Sequence, residues 1–170
     1  LTYSEGCNDD VNKFVWSGLG WDSSAPVIDI LRRYSRYFIG PAYEDNFAQG
    51  LLALERNWEG PLLTNESVYI TLKQFQAMEK AASPQDLLNW RFQQALFRAY
   101  YDGYERRRLI YETELEQQGM EALRGLSGPL GSLTAMDRAE EIIDGAVTDR
   151  VALDWRGRIF ELAEALYQSI

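Results

Sequence analysis

The chain has 170 residues, with 17 Lys and Arg against 26 Asp and Glu, a net charge of −9; that balance argues against nucleic-acid or anionic-membrane partners, which need a basic face. Hydrophobic residues at 46% and aromatics at 13% are enough for a core and too many for a disordered tail, and no apolar run reaches the roughly 18 residues of a membrane span. With no histidine and the single cysteine Cys7, His-based triads, histidine general bases, nearly every zinc site and any intrachain disulfide are excluded.

The chain opens at Leu1 rather than Met and stops within a helical repeat. We read it as an internal piece of a longer protein, the alternative being a mature chain cut from a precursor. Residues 1–4 read as the end of a strand and Glu5-Gly6-Cys7 as a turn. Asn8 fits an N-cap, with Asp9 and Asp10 in the first helical turn, where carboxylates suit the helix dipole. Val11, Phe14, Val15 and Leu19 recur at helical spacing, and Gly18 and Gly20 are expected to end this helix. Trp21 and Asp22 then fall in a loop.

A second helix carries Val27, Ile30, Leu31, Tyr34 and Phe38 on one stripe, with Arg32, Arg33 and Arg36 off it. Gly40-Pro41 breaks it. A third carries Tyr43, Phe47, Leu51, Leu54 and Trp58 and stops at Gly60-Pro61. Asn65 caps a fourth with Val68, Leu72, Phe75 and Met78, and Ser83-Pro84 marks the next start. The fifth is expected to run over 84–123 as the middle of a bundle, because aromatic residues surround it. Leu88, Phe92, Ala95, Leu96 and Ala99 should be buried, and Gly103 is a candidate kink.

A glycine-rich loop is expected near 125–132. A sixth helix should cover about 134–144 and end at Gly145, and the last should begin at Thr148-Asp149. The sum is an all-α bundle of about seven helices. Its organisation is a strand remnant over 1–7 followed by a helical domain over 8–170.

Few residues offer chemistry. Trp58, Trp90 and Trp155 read as core, whereas Trp21, beside Asp22, is the best aromatic candidate for a substrate contact and stays open between that role and packing. Glu112, Glu114 and Glu116, like Glu140, Glu141 and Asp144, read as solvated faces. A di-metal bundle would need a Glu-x-x-His motif, so no metal and no cofactor is expected. Arg106-Arg107-Arg108 reads as a salt-bridging surface and Cys7 as a small buried hydrophobe. Spacing alone leaves Glu5 open between a strand-end carboxylate of a barrel and a group serving a helix N-terminus.

The stretch Tyr3-Ser4-Glu5-Gly6-Cys7-Asn8-Asp9-Asp10-Val11-Asn12-Lys13 resembles the last-strand region of bacterial TIM-barrel glycoside hydrolases. There a Y-x-E-G segment precedes D-x-N-K and a helix. Gly20-Trp21-Asp22, with the run over 31–40, resembles a helical segment such proteins place after the barrel. The likeness is to α-N-acetylglucosaminidase-like and α-glucuronidase-like enzymes. Trp155-Arg156-Gly157-Arg158-Ile159 resembles part of their tail. The resemblance implies Glu5 as a catalytic carboxylate and Tyr3, Asn8 and Trp21 as substrate contacts. It also implies an upstream barrel as partner and a carbohydrate as the parent enzyme's substrate.

A second carboxylate on another strand is missing, so the fragment is not expected to be active alone. The competing reading is a stand-alone helical interaction or scaffold domain. A helical enzyme in its own right is the least supported, lacking histidine, a nucleotide-binding glycine loop and a metal set.

Overall fold

The computed structural model of the chain describes residues 10–125 and 131–169. Among the described residues the protein is all-α, with eight helices, two 3₁₀ turns and no strand. The helices are α1 (Asp10–Trp21), α2 (Val27–Phe38), α3 (Glu44–Arg56), α4 (Ser67–Ala81), α5 (Pro84–Leu87), α6 (Trp90–Arg124), α7 (Gly131–Thr148) and α8 (Leu153–Gln168). The 3₁₀ turns cover Pro41–Tyr43 and Leu62–Thr64. The strand remnant proposed for 1–7, the Asn8 cap and Cys7 lie outside the described residues, as does most of the glycine-rich loop.

Helix α6 is the spine. It packs against α4, α7 and α8 along its length and touches α3 and α5. The core joins Tyr34 of α2, Phe47 and Leu54 of α3, Leu72 and Phe75 of α4, Phe92, Leu96 and Ala99 of α6, and Leu162 of α8. Gly103 does not break the helical run of α6. A Cβ there would lie 2.7 Å from Leu72 Cδ2, so the missing side chain lets α4 approach closely.

The expected fifth helix is two elements. Ser83 and Asp86 form a capping box on the four-residue α5. The chain then breaks at Leu88, and Asn89 caps α6, its Oδ1 accepting from the Arg91 N–H at 3.0 Å. Asn89 Nδ2 also donates to the Phe38 carbonyl at 2.7 Å. Leu88 therefore falls off the α6 stripe and is 79% exposed, whereas Phe92, Ala95, Leu96 and Ala99 are buried as expected.

Gly18 and Gly145 do not terminate helices. Each sits inside one at a close crossing: a Cβ on Gly18 would meet Ile30 Cδ1 at 2.9 Å, and one on Gly145 would face Tyr111 and Leu115. Helix α7 therefore continues to Thr148, and α8 starts only at Leu153. Between them Ala152 adopts a left-handed conformation, φ 49° and ψ 48°, which costs a non-glycine residue about 1–2 kcal/mol.

Arg106 is not part of a surface ion-pair face. It is buried, its guanidinium lies 4.5 Å over the Tyr69 ring, and it donates to the Leu63 carbonyl. Arg108 does pair, with Glu105 and Glu112. Trp58 is also not core: it is 54% exposed, and its indole N–H donates to Asp102.

The α5 capping box carries a pH prediction. The Ser83 hydroxyl first, then the Ser83 backbone N–H, hold the Asp86 carboxyl below its usual range, with a further hydrogen bond from the Tyr43 hydroxyl. Because the folded value is depressed, the interaction contributes above about pH 4 and is lost as pH falls through the folded value. Ser83→Ala should lower stability by about 0.5–1 kcal/mol at pH 7. Urea midpoints of variant and parent should lie closer together at pH 3 than at pH 7; an equal gap at both would contradict this.

Candidate functional site

Of the residues expected to form a site, Tyr3, Glu5 and Asn8 lie outside the described residues. What the structure defines is the start of α1 and the corner at its far end.

Asp10, the first described residue of α1, is held from two other helices. The Tyr34 hydroxyl of α2 donates to Asp10 Oδ1 at 2.8 Å, and Arg91 Nε of α6 donates to Oδ2 at 2.6 Å. Arg91 is itself fixed between rings, 4.3 Å from the Phe38 centroid and 4.2 Å from that of Trp90. Burial, then the bond to Asp10, push the Tyr34 phenol upward, so it remains a neutral donor. Hydrogen bonds to a charged group are each worth about 1.5–3 kcal/mol. The first turn of α1 is thus clamped to the bundle at a fixed point.

At the other end of α1, Trp21 is 95% exposed. It is the last residue of the helix rather than part of a loop. Beside it, Asp22 accepts from the Ser24 backbone N–H at 2.9 Å and the Ser24 hydroxyl at 2.6 Å, both through Oδ1. The Ser24 hydroxyl first, then its N–H, and last the charge of Arg33 keep the Asp22 carboxyl below its ordinary value. Phe14, Trp21, Asp22, Ala25, Ile30 and Arg33 line a shallow depression of about 540 Å³.

An aromatic face, an ionised acceptor and a guanidinium donor side by side suit a polyhydroxylated ring, which stacks through C–H groups and exchanges hydrogen bonds through its hydroxyls. Of these residues the sequence marks only Trp21 as a candidate contact, with Asp22 as its neighbour, and not Arg33. Its position off the α2 stripe was visible, yet only the α1–α2 crossing places it beside Asp22.

A third polar cluster is structural. Asp102 on α6 is fully buried and accepts from Asn57 Nδ2 at 2.9 Å, Trp58 Nε1 at 3.1 Å and Arg98 Nε at 3.0 Å. It ties the end of α3 to the spine. Trp90 and Trp155 are partly buried, and the Trp155 ring lies 6.0 Å from that of Tyr69. Glu114, Glu116, Glu140, Glu141 and Asp144 are exposed. Among the described residues no three acidic or cysteine side chains are grouped so as to hold a metal ion. No described helix is long and apolar enough to cross a membrane.

No family model, curated protein or solved structure matches this chain.

Proposed function

We propose that this chain is the helical C-terminal portion of a glycoside hydrolase, packing on an upstream catalytic barrel and shaping one wall of its substrate cleft, with no turnover of its own. The observation that carries the reading is the Asp10 clamp. In the sequence Glu5 precedes Asp10 by five residues, and Asp10 is tied by Tyr34 and Arg91 to two further helices. Such a joint gives the start of α1 a fixed seat on the bundle, as packing against an upstream domain would require. The exposed Trp21 beside Asp22 and Arg33 supplies a carbohydrate contact for that wall.

A second reading, a helical protein-interaction domain, draws on α7. Leu133, Met136, Ile143 and Val147 form an exposed apolar stripe there, at helical spacing. A double Leu133→Glu/Met136→Glu variant separates the two. It leaves a cleft-shaping role intact and abolishes partner binding if α7 is the docking face.

The purified 170-residue chain should not hydrolyse an aryl glycoside, since both retaining and inverting chemistry need a carboxylate pair flanking the bond. In the parent enzyme, Trp21→Ala should raise KM roughly fivefold, about 1 kcal/mol of lost stacking, with kcat and melting temperature unchanged. Turnover by the isolated chain, or an unchanged KM in that variant, would count against the reading.

A further inference from the structure

Away from the α1–α2 corner, a second pocket of about 440 Å³ opens where α6, the end of α7 and the start of α8 meet. Three guanidiniums line it against one carboxylate: Arg108, Arg150 and Arg156 against Glu112. Arg108 is taken up by Glu105 and Glu112. Arg150 and Arg156 have no carboxylate partner among the described residues, although the chain carries 26 acidic side chains against 17 basic ones. Arg156 is oriented instead by the Phe160 ring, with 4.9 Å between its guanidinium carbon and the centroid.

Tyr104 and Tyr111 also line the pocket, the Tyr111 hydroxyl donating to the Gly145 carbonyl at 3.4 Å, and Ala146, Val147 and Val151 add apolar surface. An uncompensated pair of arginines in a concave site, within so acidic a chain, is a local reversal of the prevailing charge.

The backbone adds an independent observation. Ala152 is the single non-glycine residue with positive φ among those described, and it lies between the two arginines. Strained backbone persists where the surroundings over-determine it, and it gathers at ligand sites. Here the left-handed residue sets the turn from the Arg150 loop into α8, so that a loop arginine and a helix arginine line the same pocket.

We infer that this pocket binds a tetrahedral oxyanion, the phosphate or sulfate group of a small ligand, between Arg150 and Arg156. Guanidinium forks match the oxygens of such groups and hold them bidentately. The cavity has room for the group and a small organic moiety against the tyrosines and valines. The assignment does not depend on the carbohydrate reading above.

The test is calorimetric titration of the chain with inorganic phosphate, inorganic sulfate, a hexose 6-phosphate and a hexose 6-sulfate, at constant ionic strength in chloride. Saturable binding is expected, weakened about tenfold or more by Arg150→Ala and by Arg156→Ala. Arg36→Ala, whose arginine pairs with Glu44 on the surface of α2, should behave as the parent. Tighter binding of the hexose esters identifies a derivatised sugar as the occupant; equal binding of the inorganic ions identifies the free oxyanion. Arg150→Glu on the exposed loop, checked for an unchanged melting temperature, should abolish binding and guards against a folding artefact. Absence of saturable binding by the parent, or equal affinities in parent and arginine variants, would overturn the assignment.

Discussion

Replacing Phe92 by Ala should lower stability by about 3–5 kcal/mol. The side chain is fully buried on the first turns of α6. Its ring stacks with Phe47 of α3 at 5.8 Å between centroids and meets Tyr43 edge-on at 5.5 Å. Truncation removes the transfer energy of the ring and leaves a cavity where α3 and the spine meet. Collapse is resisted because Phe47 is also held edge-on by Phe75 of α4. Leu88→Ala, four residues earlier, should change stability by less than about 0.5 kcal/mol because Leu88 faces solvent. Urea titrations with a common slope measure both. Equal effects would mean that the break at Asn89 is wrong and the two residues share a face.

The second large effect is expected at Asp102. Removing its carboxylate by Asp102→Ala leaves the donors of Asn57, Trp58 and Arg98 without their acceptor. Arg98 and Trp58 are partly exposed and can turn to water, so the penalty falls mainly on the buried Asn57 amide and the lost charge-assisted bonds. A loss of about 2–4 kcal/mol follows.

Asp102→Asn should be milder. Asn57 Oδ1 has no hydrogen-bond partner, so a flipped Asn57 amide can accept from the new side-chain NH₂. Equal losses for the two variants would show that the charge, rather than the acceptor, is what holds the end of α3.

Much of the fold was legible because its breaks are chemically loud. Gly40-Pro41, Gly60-Pro61 and Ser83-Pro84 remove helical hydrogen bonds or supply caps: α2 ends at Phe38 before the first, α3 ends at Arg56 ahead of the second, and α5 begins at the third. The central place of α6 followed from its aromatic residues on several faces. The errors have one origin: a local signal whose meaning depends on what lies across from it. A glycine at a helix end and a glycine at a helix crossing are the same letter, so Gly18 and Gly145 read as stops. Leu88 fits the spacing of the α6 stripe, and only the Asn89 cap with its bond to the Phe38 carbonyl shows that the helix starts after it.

The polar joints were not legible at all. Asp10 and Arg91 are 81 residues apart, and Asn57 and Asp102 are 45 apart. No periodicity connects such pairs. Of the candidate site, Trp21 and Asp22 were readable as neighbours in sequence, while Arg33 joins them only through the crossing of α1 and α2.

The most direct test of the proposed function is steady-state kinetics of the longer enzyme that the proposal posits, carrying Glu5→Gln. In the proposed reading Glu5 is the carboxylate at the end of a barrel strand, where barrel chemistry occurs. An ionised carboxylate suits substrate orientation or nucleophilic attack better than acid catalysis, which needs a raised pKa. The account predicts kcat/KM lowered at least tenfold, about 1.4 kcal/mol, with an unchanged melting temperature. Unchanged kinetics with a lowered melting temperature would make Glu5 a helix-capping group and contradict the assignment of this chain to a carbohydrate-active enzyme.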